Sequence, residues 1–185
     1  RTGENLGFGG GMNRGITAAL NDNTDYVWLL NNDVRFNNSS ILDDLLNVFN
    51  MNENVGIVSP KINSYPNKKN IWFQKGEIDW QRGKASHVNK VTSNEANIIY
   101  NDYIPLCCAL IPHSVFKNIC LLPEEYFLYY EDVDYSVRVS EAGYDLCTKS
   151  NLTVYHKRGG TTGSRYGKIS SYYQTRNQLL FRQKH

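Results

Sequence analysis

Apolar and polar positions along the chain keep two different periods. Met12, Ile16, Ala19 and Leu20 recur at the spacing of one helix face, and the Gly-rich stretch 7–11 leads into them. Asn21-Asp22-Asn23 is a polar stop. Residues 26–30, Tyr-Val-Trp-Leu-Leu, then form a short continuous apolar run, the pattern of a strand buried on both faces of a parallel sheet. Ser40-Ile41-Leu42-Asp43 reads as a capping box opening a second helix, with Leu42, Leu45, Leu46 and Phe49 as its stripe. Residues 55–58 are a second buried strand, stopped by Pro60. Helix, strand, helix and strand on short connections predict α/β layering. The strand expected before the Gly-rich stretch is not in the sequence. The chain opens on Arg1-Thr2-Gly3 without an initiator Met or a signal peptide, and is expected to be a piece of a longer protein.

The middle of the chain is less regular. Residues 71–91 hold Gly76 and Gly83 among aromatic and polar positions, as a hairpin or a long excursion would. Residues 103–111 read as a strand, and 132–142 as a helix closed by Gly143 in the left-handed cap position. Short strands are expected at 144–148 and 152–155, and a last helix over 170–182 carrying Tyr173, Arg176 and Leu180.

Composition narrows the classes. The chain has 185 residues, the size of one domain. Its formal net charge of +2, with basic residues scattered, gives no footprint for nucleic acid. The longest apolar runs, 26–30 and 107–112, fall well short of the ~20 residues of a membrane span. Cys107, Cys108, Cys120 and Cys147 contain no C-x-x-C pair and read as free thiols of a reducing compartment. Aromatic residues reach 12%, enough to fill a core and still line a cleft.

Four segments bear on chemistry. In Asn5-Leu6-Gly7-Phe8-Gly9-Gly10-Gly11-Met12-Asn13-Arg14-Gly15, glycines before a helix would let backbone N–H groups approach an anion, or simply make a tight turn. A dinucleotide fingerprint is broken by Met12, and Gly167-Lys168-Ile169 is no P-loop. Asn31-Asn32-Asp33 directly follows the buried strand, where open α/β sheets bind ligands. It suits either a turn or a hard divalent cation. Tyr129-Tyr130-Glu131-Asp132-Val133-Asp134 crowds three carboxylates into a first helical turn. That serves the helix dipole, with Asp134 and Arg138 as a surface ion pair. It also places Glu131 and Asp132 after an aromatic stretch that would desolvate them and favour a general base. His156 follows the strand 152–155 and gains meaning if Asp33 holds a metal. Gly163-Ser164-Arg165-Tyr166-Gly167 misplaces its Ser for a nucleophile elbow. Trp72, Trp80 and the tyrosines suit a sugar-stacking wall or ordinary packing.

In this order, the motifs resemble the family 2 glycosyltransferases of the GT-A fold, nearest to the rhamnosyltransferase-like branch of bacterial surface polysaccharide synthesis. N-L-G-F-G-G-G-M-N-R-G matches that branch's N-x-G-F-x-x-G-x-N-x-G. Y-V-W-L-L-N-N-D-V matches its strand ending in a DXD-like motif. Y-F-L-Y-Y-E-D-V-D-Y-S-V-R matches its F-F-x-Y-x-E-D-x-D-x-x-x-R block. The resemblance implies a GT-A-type, Rossmann-like mixed α/β sheet flanked by helices and lacking the first strands of the nucleotide-binding half. Residues 1–60 would be the remainder of that half, and 61–185 the acceptor and catalytic half.

The resemblance also implies roles. Asn5, Gly11, Asn13, Asn31 and Asn32 would sit by the donor. Asp33 would ligate Mg2+ or Mn2+, with His156 as second ligand. Asp132 would be the base, with Glu131, Tyr130 and Trp72 toward the acceptor. Asn31 stands where many members carry Asp, one negative charge fewer. The implied activity is inverting transfer from a nucleotide-diphosphate sugar, dTDP-rhamnose in this branch, to a glycan or lipid-linked acceptor, in the cytoplasm and at the inner membrane face. Two other classes are a non-catalytic sugar-nucleotide or glycan-binding module on the same fold, and a nicotinamide-dependent oxidoreductase, which the broken fingerprint disfavours.

Overall fold

A computed structural model describes residues 3–91, 97–157 and 167–185. Its elements in chain order are α1 (Gly7–Asn21), β1 (Tyr26–Leu30), β2 (Val34–Arg35), α2 (Ile41–Met51), β3 (Val55–Ser64), β4 (Ile71–Phe73), β5 (Lys75–Asp79) and β6 (Lys84–Val88). They continue with β7 (Ile98–Tyr100), β8 (Cys108–Pro112), α3 (His113–Ile119), α4 (Glu131–Glu141), β9 (Asp145–His156) and α5 (Lys168–Lys184). The main sheet runs in the order β1-β8-β3-β9-β2, with β4 added to β3 and β7 to β9. Among the described residues only β3 and β9 pair in parallel; β1, β2, β4, β7 and β8 each pair antiparallel to a neighbour. β5 and β6 form a separate two-stranded hairpin.

The α/β layering read from the sequence is present, and 71–91 resolves into a short strand and the hairpin. Several elements differ in detail, each for a local reason. β1 is not buried on both faces. It alternates half-buried Tyr26, Trp28 and Leu30 with buried Val27 and Leu29, and it pairs antiparallel to β8. β3 does not stop at Pro60. The ladder to β9 shifts register between Pro60 and Lys61, so the missing N–H breaks no continuous pairing and the strand goes on to Ser64. The two short strands expected after Gly143 are one strand, β9, carried across Ser150 and Asn151 by that same shifted ladder. The strand expected at 103–111 starts only at Cys108.

In α2 the stripe is rotated. Ile41, Leu45, Val48 and Phe49 face inward and Leu42 is exposed. Ser40 makes no side-chain cap to the helix backbone; its hydroxyl lies 3.0 Å from Asp44 Oδ2. Gly143 takes the left-handed cap conformation at φ +91° after α4, as expected.

One apolar core unites β1, β3, β8 and β9 with α2 and α3 through residues such as Leu45, Ile57, Val58, Leu110, Phe116 and Val154. A second cluster, Ile78, Tyr103, Tyr126, Val133, Val137 and Phe181, seats the hairpin on α4 and α5. No helix among the described residues is long and apolar enough to cross a membrane.

The glycines of the Asn/Gly block are not a loop before a helix. They are the first turns of α1 itself. A Cβ on Gly9 would lie 2.9 Å from Pro123 O, while the same atom on Gly11 or Gly15 would meet open space. Gly7, at φ +74°, lies so close to Phe127 that no side chain fits. Asn13 is buried. Its amide donates to Leu122 O (2.9 Å) and Glu124 Oε1 (2.8 Å), and its carbonyl accepts from Leu122 N (3.0 Å). The block therefore clasps the 122–127 segment.

Two outcomes follow for chemical denaturation. Gly11→Ala, inside the helix and unobstructed, is expected to raise stability by up to about 1 kcal/mol. Gly9→Ala should lower it by about 1–3 kcal/mol because Pro123 O is backbone and must be displaced. Equal effects at both positions would refute the clasp.

Candidate active site

The polypeptide leaves β1 through Asn31-Asn32-Asp33 and turns at once into β2. Asn31 N donates to Cys107 O (2.9 Å), and Val34 N to Asn31 O (3.2 Å), which fixes the turn. β2 pairs with the far end of β9, Val34 opposite His156. That register brings Asp33 beside the imidazole: Asp33 Oδ1 lies 3.0 Å from His156 Nε2, and Lys157 N donates to Asp33 O (3.1 Å). Trp72 leans on the imidazole at 5.1 Å between ring centroids. Its other side meets His87 edge-on at 4.8 Å, and His87 Nδ1 lies 2.8 Å from Trp72 O. Asn31 is half-buried and Asn32 exposed.

A divalent cation fits this pair. Asp33 Oδ1 is buried without an aligned hydrogen bond, and a carboxylate oxygen and imidazole nitrogen 3.0 Å apart face one another. Two ligands each about 2.1 Å from one octahedral ion and at right angles stand about 3 Å apart. The mixed oxygen and nitrogen set suits Mn2+ at least as well as Mg2+. No cluster of three or more His, Cys, Asp or Glu exists among the described residues, so further ligands would come from solvent or substrate.

The second half of the site is the start of α4. Glu131 is buried, 5% exposed, and its Oε2 has no hydrogen-bond partner; Asp132 remains partly accessible. Burial drives the Glu131 pKa well up, and the charge of Asp132 adds to it. Burial pushes Asp132 up to about 6, against the hydrogen bond that its Oδ1 accepts from Val133 N (2.9 Å). Cys107 joins the two halves. Burial, then Cys108, then the carboxylates of Asp132 and Asp33 raise its pKa, so both acids lie near one thiol although they are distant in sequence.

The backbone before Glu131 is unusual. Phe127, Tyr129 and Tyr130 all have positive φ, at 62°, 68° and 75°. Such conformations cost a non-glycine residue on the order of 1–3 kcal/mol each and persist only where the surroundings enforce them. Tyr130 OH donates to Gly83 O in the hairpin (3.0 Å).

The remaining sequence candidates divide. Asn5 lies just before α1, its side-chain oxygen accepting from Gly7 N (3.0 Å) in a local turn, and is exposed. Asn13 has both amide hydrogens and its oxygen engaged by Leu122 and Glu124. Gly11 is open to solvent. Trp72 stands at His156, whereas Trp80 is exposed beside Phe181. Asp134 is no surface ion pair. It is fully buried and meets Arg138 Nε (3.1 Å), Tyr126 OH (2.9 Å), Lys184 Nζ (2.9 Å) and His185 Nε2 (3.2 Å). Burial pushes its pKa up, and the bonds from Lys184, Tyr126 and His185 more than reverse this. The Gly163–Gly167 segment lies, but for Gly167, outside the described residues. Two surface hollows, one beside Val48 and Cys147 and one beside Tyr26 and Phe49, lie apart from this chemistry. His87, Cys107 and Asn177 bear on the site and carry no signal in the sequence.

No family model matches the chain. Over 147 residues it is 29% identical to the low-salt glycan biosynthesis hexosyltransferase Agl10 of Haloferax volcanii, covering 74% of this chain and 44% of that protein. It is 27% identical over 183 residues to the N-acetylglucosaminyl-diphospho-decaprenol L-rhamnosyltransferase of Mycobacterium tuberculosis, covering 88% of this chain and 59% of that protein. The chain thus spans about half the length of these relatives. Its structure superposes on the crystal structure of GalNAc-T7 with UDP, GalNAc and Mn2+, with a TM-score of 0.61 at 13% identity, over 88% of this chain and 33% of that one. The fold is of the GT-A type. Asp33 and His156 stand at strand ends of this sheet, and Asp132 at the start of α4.

The raised pKa of Asp132 has a measurable sign. Its folded value, about 6, exceeds the ordinary 3.8, so ionisation opposes folding: the penalty is absent below pH 3.8, grows between, and is complete above pH 6. Asp132→Asn, which keeps an acceptor for Val133 N–H, is expected to stabilise the protein by about 1–3 kcal/mol at pH 7.5. The gain should vanish near pH 3.5. A constant difference across that range, in thermal melts, would disprove the assignment.

Proposed function

We propose that this chain is the catalytic portion of an inverting, metal-assisted glycosyltransferase of family 2 type. The observation that carries the reading is the meeting of Asp33 and His156 at 3.0 Å, with Asp132, a carboxylate of raised pKa, in electrostatic reach of the same Cys107 thiol as Asp33. The named relatives, a hexosyltransferase and a rhamnosyltransferase whose acceptor is a diphospho-decaprenol lipid, support transfer from a nucleotide-diphosphate sugar to a glycan or lipid-linked acceptor. dTDP-rhamnose is the first donor to try, and the inner face of the cytoplasmic membrane the place of work.

Asp33 and His156 would hold a divalent cation, which supplies charge neutralisation for the departing diphosphate. Asn31 and Asn32 flank that position with neutral amides, able to donate to ribose or phosphate oxygens without adding negative charge. Asp132, ionised above pH 6, accepts the proton of the acceptor hydroxyl. The acceptor oxygen forms its bond to the anomeric carbon as the bond from that carbon to the diphosphate oxygen breaks, and the nucleoside diphosphate leaves with the electron pair. Attack from the face opposite the leaving group inverts the anomeric centre. A base whose burial lifts its pKa to about 6 holds its proton affinity near neutrality, where general-base help is worth about 10²–10⁴-fold.

Three measurements on the full-length protein test this. With a panel of nucleotide sugars and Mn2+, Asp132→Asn should lose about 10²–10⁴ in kcat. Near-normal turnover would remove Asp132 from the role. The wild-type rate should climb with pH through about 6 and then level. Asp33→Ala should abolish Mn2+ binding followed by electron paramagnetic resonance; unchanged binding would exclude the Asp33–His156 pair.

A further inference from the structure

The left-handed turn ahead of Glu131 is held from α5 by one side chain. Asn177 is fully buried, and the two hydrogens of its amide nitrogen are shared among three carbonyls of that turn: Tyr126 O (2.9 Å), Leu128 O (2.8 Å) and Tyr129 O (2.8 Å). Its own oxygen accepts from Arg176 Nη1 (2.7 Å), and that guanidinium reaches on to Glu125 O (3.0 Å). The amide is thereby oriented, nitrogen toward the turn. Ser170 Oγ, also buried, meets Tyr129 OH at 3.1 Å, and Tyr173 stacks on Phe127 at 5.1 Å. On the opposite side, Phe8 N of α1 donates to Phe127 O (2.7 Å).

Three non-glycine residues in left-handed conformation do not stay so by themselves. Phe127 O and Tyr130 O find backbone partners in Phe8 N and Asp134 N, and Tyr126 O also accepts from Leu128 N (2.7 Å), whereas Leu128 O and Tyr129 O are satisfied by Asn177. Released, the turn relaxes toward ordinary φ values, and the first residues of α4 move with it. We propose that Asn177, oriented by Arg176, is a positioning residue that locks the 126–130 turn and so fixes where the Asp132 carboxylate stands and how far water is kept from it. The inference deepens the transferase reading: it assigns to α5 the task of setting the base.

The test separates the two ideas. In wild type and Asn177→Ala, the Asp132 side-chain carboxyl carbon is titrated by ¹³C NMR, amide exchange over 126–130 is followed by mass spectrometry, and Mn2+ affinity is measured by paramagnetic resonance. Among the described residues Tyr130, Glu131 and Cys107 also feel the Asp132 charge, and their signals are followed alongside. The expected result is an Asp132 midpoint lowered by about one unit from its value near 6 as water gains access. Exchange over 126–130 should be faster, and Mn2+ affinity unchanged. Once a donor is found, kcat should fall about tenfold to a hundredfold with donor KM within about twofold, the signature of a misplaced reacting group. These shifts without transfer by wild type would refute the transferase and leave the lock standing. An unmoved midpoint with unchanged exchange in folded Asn177→Ala overturns the lock. Should Asn177→Ala not fold, Ser170→Ala decides by the same readings: a smaller shift in the same direction supports the proposal, and none overturns it.

Discussion

β3 and β9 lie side by side in parallel, from Val55 opposite Asp145 to Ser64 opposite His156, and this pairing organises the rest of the sheet. β8 and then β1 build outward from β3, and β7 and β2 attach to β9. Parallel neighbours need a long covered connection, here supplied by everything between residues 64 and 145. The hairpin, β8, α3 and the strained turn all lie within that connection. That register brings His156 to the strand end beside Asp33, while the loop 142–144 joins the C-terminal end of α4 to the other end of β9, at Asp145. Slip of β9 by one residue would turn His156 to the other face of the sheet.

Charge is handled differently in the two acidic groups of α4, only two positions apart. Asp134 is given Arg138, Lys184, His185 and the Tyr126 hydroxyl, and stays ionised in a dry place. Glu131 and Asp132 have no ion pair among the described residues, and burial governs both. The first arrangement stabilises the helix on α5; the second keeps proton affinity high. The same residue type serves structure or chemistry according to whether the fold supplies a counter-ion.

The local elements were largely legible because periodicity and punctuation report them: α1, α2, α4, α5, and the cap at Gly143. So were the positions of Asn31-Asn32-Asp33 and His156 at strand ends and of Glu131-Asp132 at a helix start. What stayed hidden depends on long-range register. Nothing local in the sequence says that Pro60 interrupts no ladder, that β9 is continuous, or that Asp134 meets the last turn of α5. Asn177 sits in a polar run indistinguishable from solvent-facing helix, and only the arrival of three carbonyls from residues 126–129 gives it work.

The glycines of α1 bear on how such sequences are compared. Gly7 and Gly9 are small because the 123–127 backbone passes within van der Waals reach, and Asn13 is an asparagine because Leu122 offers it an N–H and a C=O. Their recurrence in a distant chain therefore certifies an architectural joint. A homologue that had lost its acids through drift would still carry this signature, so ancestry inferred from it says less about turnover than the identity of the residues at strand and helix ends.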